Sequence, residues 1–360
     1  MPKTKATIPF EIPTLVRWLA LKPKEHFKVL EASLKSGSDA DFRSLGEPAR
    51  VALRLAWDEQ PEVFFPLVSP WLKGTNVRLR RIAAGAIPIS NEGHADKCQR
   101  LLKKLSADKD RETRLAAMDL LAEDTDAQLN QLAKWAKTPD PDVQLIVARH
   151  VRNVSKDQIK KAIAILMDLA DQPQGGVPWE VASALYDLHA RENRAVLEVA
   201  HKMALHQEAE IRTAIASGFF QLVFADHFDQ LLPTMRSWLR MGEAELRWTL
   251  ARALKFLRVT ARSLQLLRAL YEDRDPDIRR RVVTKLIESF DPGSEQLRSV
   301  AELLRRAKED QARKVREVAE AGEERLGVQF DKINYDGTFE EENFDDDELA
   351  EDEDADDDDD

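Results

Sequence analysis

The residues of this 360-residue chain best suited to chemistry are cations and aromatic rings at matched spacings, not a catalytic constellation. Trp248, Arg252 and Lys255 stand four and then three positions apart. Arg149 and Arg152 are three apart, and Trp179 and Tyr186 seven apart, so each set falls on one face of a helix. Arg81 and Arg280 add cations at comparable points along the chain. Cations neutralise phosphates, and a ring offers its face to an unstacked base, so the set suits a nucleic acid. Bases also cluster: residues 78–114 hold ten against five acids, and residues 236–285 thirteen against six.

Catalytic signatures are missing from the sequence. It has no phosphate-cradling glycine loop, no GxSxG, no HExxH and no His-Glu pair of the iron-holding kind. The seven histidines are scattered, and His150 reads as a packing or capping residue. Cys98 is the single cysteine, so the chain predicts no internal disulfide, no cysteine-based metal site and a reducing compartment. His94 is the one neighbour that could activate it, so the thiol is read as incidental. No metal and no cofactor are expected.

The elements that must position these side chains form a repeat. Seven segments align without gaps: LRRIAAGAI from Leu79, TRLAAMDLL from Thr113, VQLIVARHV from Val143, VPWEVASAL from Val177, IRTAIASGF from Ile211, LRWTLARAL from Leu246 and IRRRVVTKL from Ile278. Their starts lie 30–35 residues apart, and a weaker copy begins at Ala49. In five copies an arginine takes the second position: Arg80, Arg114, Arg212, Arg247 and Arg279. Positions one, five, six and nine are mostly apolar or small, which at 100° per residue makes one buried helix face. Asp-Pro-Asp turns precede two copies, at Asp140 and Asp275, and supply helix starts. The stretches between copies have helical periodicity of their own. Two helices in 30–35 residues is the HEAT or armadillo unit.

The predicted fold is therefore all-α: a HEAT/armadillo-type superhelix over residues 1–330, with about seven or eight helical pairs and a polar capping helix near 294–327. Third, seventh and tenth positions should line one face. Those positions include Arg81, Leu115, Leu145, Trp179, Trp248 and Arg280, then Arg149 and Arg252, then Arg152, Tyr186, Phe220 and Lys255.

Net charge of −11 conceals two parts. Residues 331–360 hold 18 acids and one base, whereas residues 1–330 hold 53 bases and 47 acids. The acidic segment has too little apolar surface to fold and is expected to be a disordered tail. Two roles are open for it: a competitor with polyanions for the basic body, or a segment that only keeps the protein soluble. With no signal peptide at the N-terminus and no run of 18 apolar residues, the chain predicts a cytoplasmic protein with no membrane partner.

One stretch is more specific. From Pro61 to Pro88 the chain resembles the HEAT-like-repeat alkylpurine DNA glycosylases of the AlkC and AlkD type, through Trp71, Asn76, Arg80, Arg81, Gly85 and Pro88. Asp140–Asp157 is similar to a second motif of those proteins in its Asp-Pro start, Val147-Ala148 and Lys156-Asp157. The resemblance implies an armadillo-type fold and DNA binding, and, were the chain an enzyme, excision of alkylated purines. Where that family carries acids this chain has Ala83, Ala84 and Gly85, and Asn153 in the second motif. Excising a cationic base needs negative charge beside the developing sugar cation. The leading expectation is thus DNA binding through a basic, aromatic concave face without catalysis. The alternatives are a scaffold that grips a partner protein in the groove, and an active glycosylase.

Overall fold

The computed structural model describes residues 8–88, 95–172, 174–330 and 333. Of the expected acidic tail, all but Ile333 lies outside the described residues. The chain divides into two compact units, Met1–Arg258 and Val259–Asp360. Among the described residues there is no strand.

Unit 1 carries α1 (Ile12–Leu21), α2 (Pro23–Ser36), α3 (Asp39–Glu59), α4 (Pro61–Lys73), α5 (Val77–Gly85), α6 (Ala95–Leu105), α7 (Arg111–Glu123), α8 (Thr125–Trp135), α9 (Pro141–Val151), α10 (Ile159–Leu169), α11 (Val177–His189), α12 (Asn193–Ala204), α13 (Ala209–Ile215), α14 (Gln221–Asp226), α15 (Phe228–Met241) and α16 (Ala244–Ala253). A π-helical turn, Ala216–Phe220, joins α13 to α14. Unit 2 carries α17 (Ala261–Tyr271), α18 (Pro276–Glu288), α19 (Leu297–Lys308) and α20 (Arg313–Leu326).

Each aligned segment falls on the second helix of a pair. Its first position is buried in all seven copies: Leu79, Thr113, Val143, Val177, Ile211, Leu246 and Ile278. The fifth, sixth and ninth positions are buried too, from Ala83 and Ala84 in α5 with Ile87 just beyond it, to Val282, Val283 and Leu286 in α18. Small residues at the sixth position let neighbouring second helices approach. In unit 1 they stack in a row, α3 on α5, then α7, α9 and α11, with α13 and its π turn between α11 and α16. Helix starts follow the capping logic. The side chains of Asn76, Asp110, Asp140 and Asp275 each accept a backbone N–H from the first turn that follows. The fold is that of a HEAT-like helical repeat protein.

The second-position arginine has a defined task. Its Nη1 donates back to the carbonyls of the turn just before its helix, five and six residues upstream. Arg114 reaches Asp108 O at 2.8 Å and Lys109 O at 3.0 Å. Arg212 reaches His206 O and Gln207 O at 2.6 Å, and Arg279 reaches Asp273 O at 2.7 Å. Arg80 and Arg247 bond Gly74 O and Gly242 O in the same way. In α9, where the arginine is replaced, Gln144 Nε2 donates to Thr138 O at 2.8 Å and does the same work. These carbonyls are turn acceptors that no helix satisfies.

That signature corrects one expectation. The stretch 294–327 is not a single capping helix but the pair α19 and α20, broken at Glu309–Ala312. Arg316 Nη1 donates to Asp310 O at 2.6 Å and Gln311 O at 3.0 Å, which marks α20 as a further copy. Sequence alignment misses it because Glu320 stands where the other copies are small or apolar. The close approach moves to Gly322, where a Cβ would lie 2.5 Å from Ile287 Cδ1.

Candidate functional site

In unit 1 the exposed face of α3, α5, α7 and α9 forms an open groove of about 770 Å³. Its apolar lining is Phe42, Ile82, Leu115, Ala116, Leu145 and Ile146. Leu115 and Leu145 are the third-position residues expected to share a face, and Arg81, the third position of α5, lines the groove beside them. Charges of both signs stand along it: Arg43, Arg50, Arg81, Arg111 and Arg149, with Glu47, Glu112, Asp119 and Asp142.

The arginines of this groove are engaged by the protein itself. Arg50 pairs with Glu47 one turn earlier. Arg81 forks onto Asp110, and Arg111 pairs with Asp140 at 3.1 Å and with Asp142. Arg149 lies 3.7 Å from Glu180 on the next second helix, and Arg43 Nε donates to Asp39 O at 3.2 Å. His150 Nε2 lies 2.9 Å from Asp119 Oδ1, and that hydrogen bond, with Arg149 and Arg50 nearby, holds the Asp119 carboxyl below the ordinary carboxylate range. The wall is therefore a lattice of ion pairs of mixed sign, not a basic track.

The remaining expected contacts divide. Arg152 donates to Ser183 Oγ at 3.0 Å and Asp187 at 3.2 Å. Tyr186 Oη donates to Asp226 at 2.8 Å, which raises its pKa above the ordinary phenol value. Trp179 is 42% exposed and rests beside Gly218 of the π turn. Trp248 is half-buried between the guanidinium groups of Arg212 and Arg252, 5.4 and 5.2 Å from its ring centre. Trp248 and Arg252 thus meet as expected. Lys255 does not share their helix, because α16 ends at Ala253 and Leu254–Phe256 tightens into a 3₁₀ turn, where the Lys255 ammonium lies over Phe256. Phe220, expected on the open face, is fully buried against Phe219 and Trp238. Arg280 belongs to unit 2, pairs with Asp277 at 3.5 Å and lines a separate groove of about 540 Å³ between α18 and α20.

The residues that carried the glycosylase resemblance have structural work. Trp71 is buried and stacks on Phe27 at 4.4 Å. Asn76 caps α5, Arg80 holds the preceding turn and lies 3.3 Å from Asp108, and Arg81 joins α5 to the start of α7. Cys98 is fully buried, and burial pushes its thiol up to about 11, so it is not a nucleophile at neutral pH. Among the described residues no group of three His, Cys, Asp or Glu could hold a metal ion, and no helix is long and apolar enough to cross a membrane.

No protein-family model matches the chain, and no curated protein matches it. One similar solved chain comes from a study of the structural basis of tubulin recruitment and assembly by microtubule polymerases with Tumor Overexpressed Gene (TOG) domain arrays. The two share 12% identity over 87% of each chain, with a TM-score of 0.36. A likeness of that degree carries no argument about function.

Proposed function

We propose that the protein is a binding scaffold whose unit 1 groove receives an amphipathic helix of a protein partner. The observation that carries this reading is the pairing of the groove's own charges around an apolar floor. A nucleic acid asks for cations free to replace counterions, and here Arg50, Arg81, Arg111 and Arg149 already face carboxylates. Leu115, Leu145 and Ile82 offer instead what an apolar row at helical spacing requires, and the mixed rim matches flanking charges of both signs. DNA binding, which the resemblance implied, is the rival outcome.

The test is selection of helical peptides from a displayed library against the whole protein, followed by Leu115→Asp and Leu145→Asp. Selected peptides should lose about tenfold or more in affinity for either variant, with the circular dichroism spectrum unchanged. Duplex DNA is titrated in parallel at low salt. If DNA binds with steep salt dependence and no selected peptide responds to the two variants, the scaffold reading falls.

A further inference from the structure

A second surface of unit 1 has the opposite character from the groove. Where α4 ends and α6 turns towards α7, a pocket of about 460 Å³ opens against Leu72, Leu101 and Leu105. Lys73, Lys104 and Lys109 stand around it, all exposed. None of the three has a carboxylate partner among the described residues, in contrast to the paired arginines of the groove. The one acid among its described lining residues, Asp108, is occupied by Arg80 at 3.3 Å. Lysines near helix ends ordinarily favour the helix dipole, which explains Lys73 in the last turn of α4 and Lys104 in that of α6. It does not explain Lys109, which lies beyond α6 in the turn before α7 and converges on the same cavity. None of these residues lines the groove.

We infer that this pocket is a docking site for an acidic peptide segment of a partner protein, with one apolar side chain seated between flanking carboxylates. The apolar wall distinguishes this ligand from a nucleic acid. Among the described residues, no aromatic ring lines the pocket to stack a base, and no unpaired guanidinium fork is present there to grip a phosphate. Lysine ammonium groups on flexible stems suit carboxylates spaced along a chain. Two of its lysines, Lys104 and Lys109, belong to the base-rich stretch 78–114, whose Arg81 and Arg111 line the groove instead.

The probe is a synthetic fluorescent peptide of alternating glutamates around a central leucine, titrated into the full chain at low and moderate salt and followed by anisotropy. Lys73→Glu, Lys104→Glu and Lys109→Glu are combined in one variant. A control variant combines Lys156→Glu, Lys160→Glu and Lys161→Glu, which are also exposed, so net charge changes equally. The pocket variant should lose about tenfold or more in affinity and the control little, with a glutamate-for-leucine peptide binding more weakly than the parent. Equal losses in both variants would reduce the effect to net charge and overturn the proposal. So would absence of peptide binding to the unaltered chain, or binding of duplex DNA alone with the same lysine dependence. The groove variants Leu115→Asp and Leu145→Asp leave this binding intact, so the two sites fail separately.

Discussion

Arg81 and Asp110 form a two-pronged ion pair across one repeat, Nε to Oδ2 at 2.9 Å and Nη2 to Oδ1 at 2.7 Å. The same carboxylate accepts Thr113 N at 2.9 Å and caps α7. An equivalent fork joins Arg279 to Asp310 in unit 2, at 2.8 Å for both bonds. A residue read as a ligand contact is therefore a link between successive helices.

Asp110→Ala should destabilise unit 1 by about 1–3 kcal/mol, from the lost cap and the released pair, and Arg81→Ala by about 0.5–1 kcal/mol because that side chain is partly exposed. The Arg81 guanidinium, with help from Thr113, holds the Asp110 carboxyl far below the ordinary range. A carboxylate depressed in the folded state stabilises above its unfolded pKa of about 4 and loses that contribution as pH falls further. Asp110→Asn keeps a capping side chain but should flatten the acid limb of stability. Urea unfolding from neutral pH down to about pH 3 checks both the size and the slope.

The turn-holding arginine has a natural substitute. Arg114→Ala should cost about 1–2 kcal/mol, since Asp108 O and Lys109 O lose a charged donor. Arg114→Gln should recover part of it, because Gln144 makes the equivalent bond in α9. Equal losses in the two variants would mean that the guanidinium acts through charge alone.

Helix propensity and packing make opposite forecasts at Gly322. Alanine inside an exposed helix gains about 1 kcal/mol over glycine. Here the new Cβ would meet Ile287 at Cδ1, Cγ1 and Cγ2, the nearest at 2.5 Å. Packing should win, and Gly322→Ala should destabilise by about 1–3 kcal/mol. Adding Ile287→Val should relieve part of the loss, which thermal melts of the double variant measure.

Two histidines tie stability to mild acid. His189 is 2% exposed, its Nε2 has no hydrogen-bond partner among the described residues, and burial with His227 nearby lowers its pKa. His201 stacks on Trp238 at 4.8 Å, its Nε2 has no hydrogen-bond partner among the described residues, and burial lowers its pKa. A base whose pKa is lower in the folded state stabilises fully above the unfolded value of about 6.5, and the contribution fades as pH falls below it. The melting temperature should drop between about pH 7.5 and pH 5.5, and His201→Phe, which keeps a ring against Trp238, should lessen the drop. An unchanged slope would assign the pH dependence to other groups.

What the sequence alone determined is the helix-pair period and the buried face. A repeat of 30–35 residues with apolar first, fifth, sixth and ninth positions can satisfy itself in only one way, by turning those positions inward. Leu79, Val177 and Leu246 obey it without exception. The third position was legible as an open face but not in its use. Trp179 and Trp248 hold the same place in their repeats, yet Trp179 rests beside Gly218 and stays exposed, while Trp248 is covered by Arg212 and Arg252. Only tertiary structure decided that Arg81, Arg149 and Arg152 face Asp110, Glu180 and Asp187, and that Lys73, Lys104 and Lys109 face no carboxylate among the described residues. Those acids lie about one repeat further along the chain, a distance at which composition counts charges but cannot pair them. Stacking of one helix pair on the next brings the partners within 4 Å and separates the neutralised surface from the one left basic.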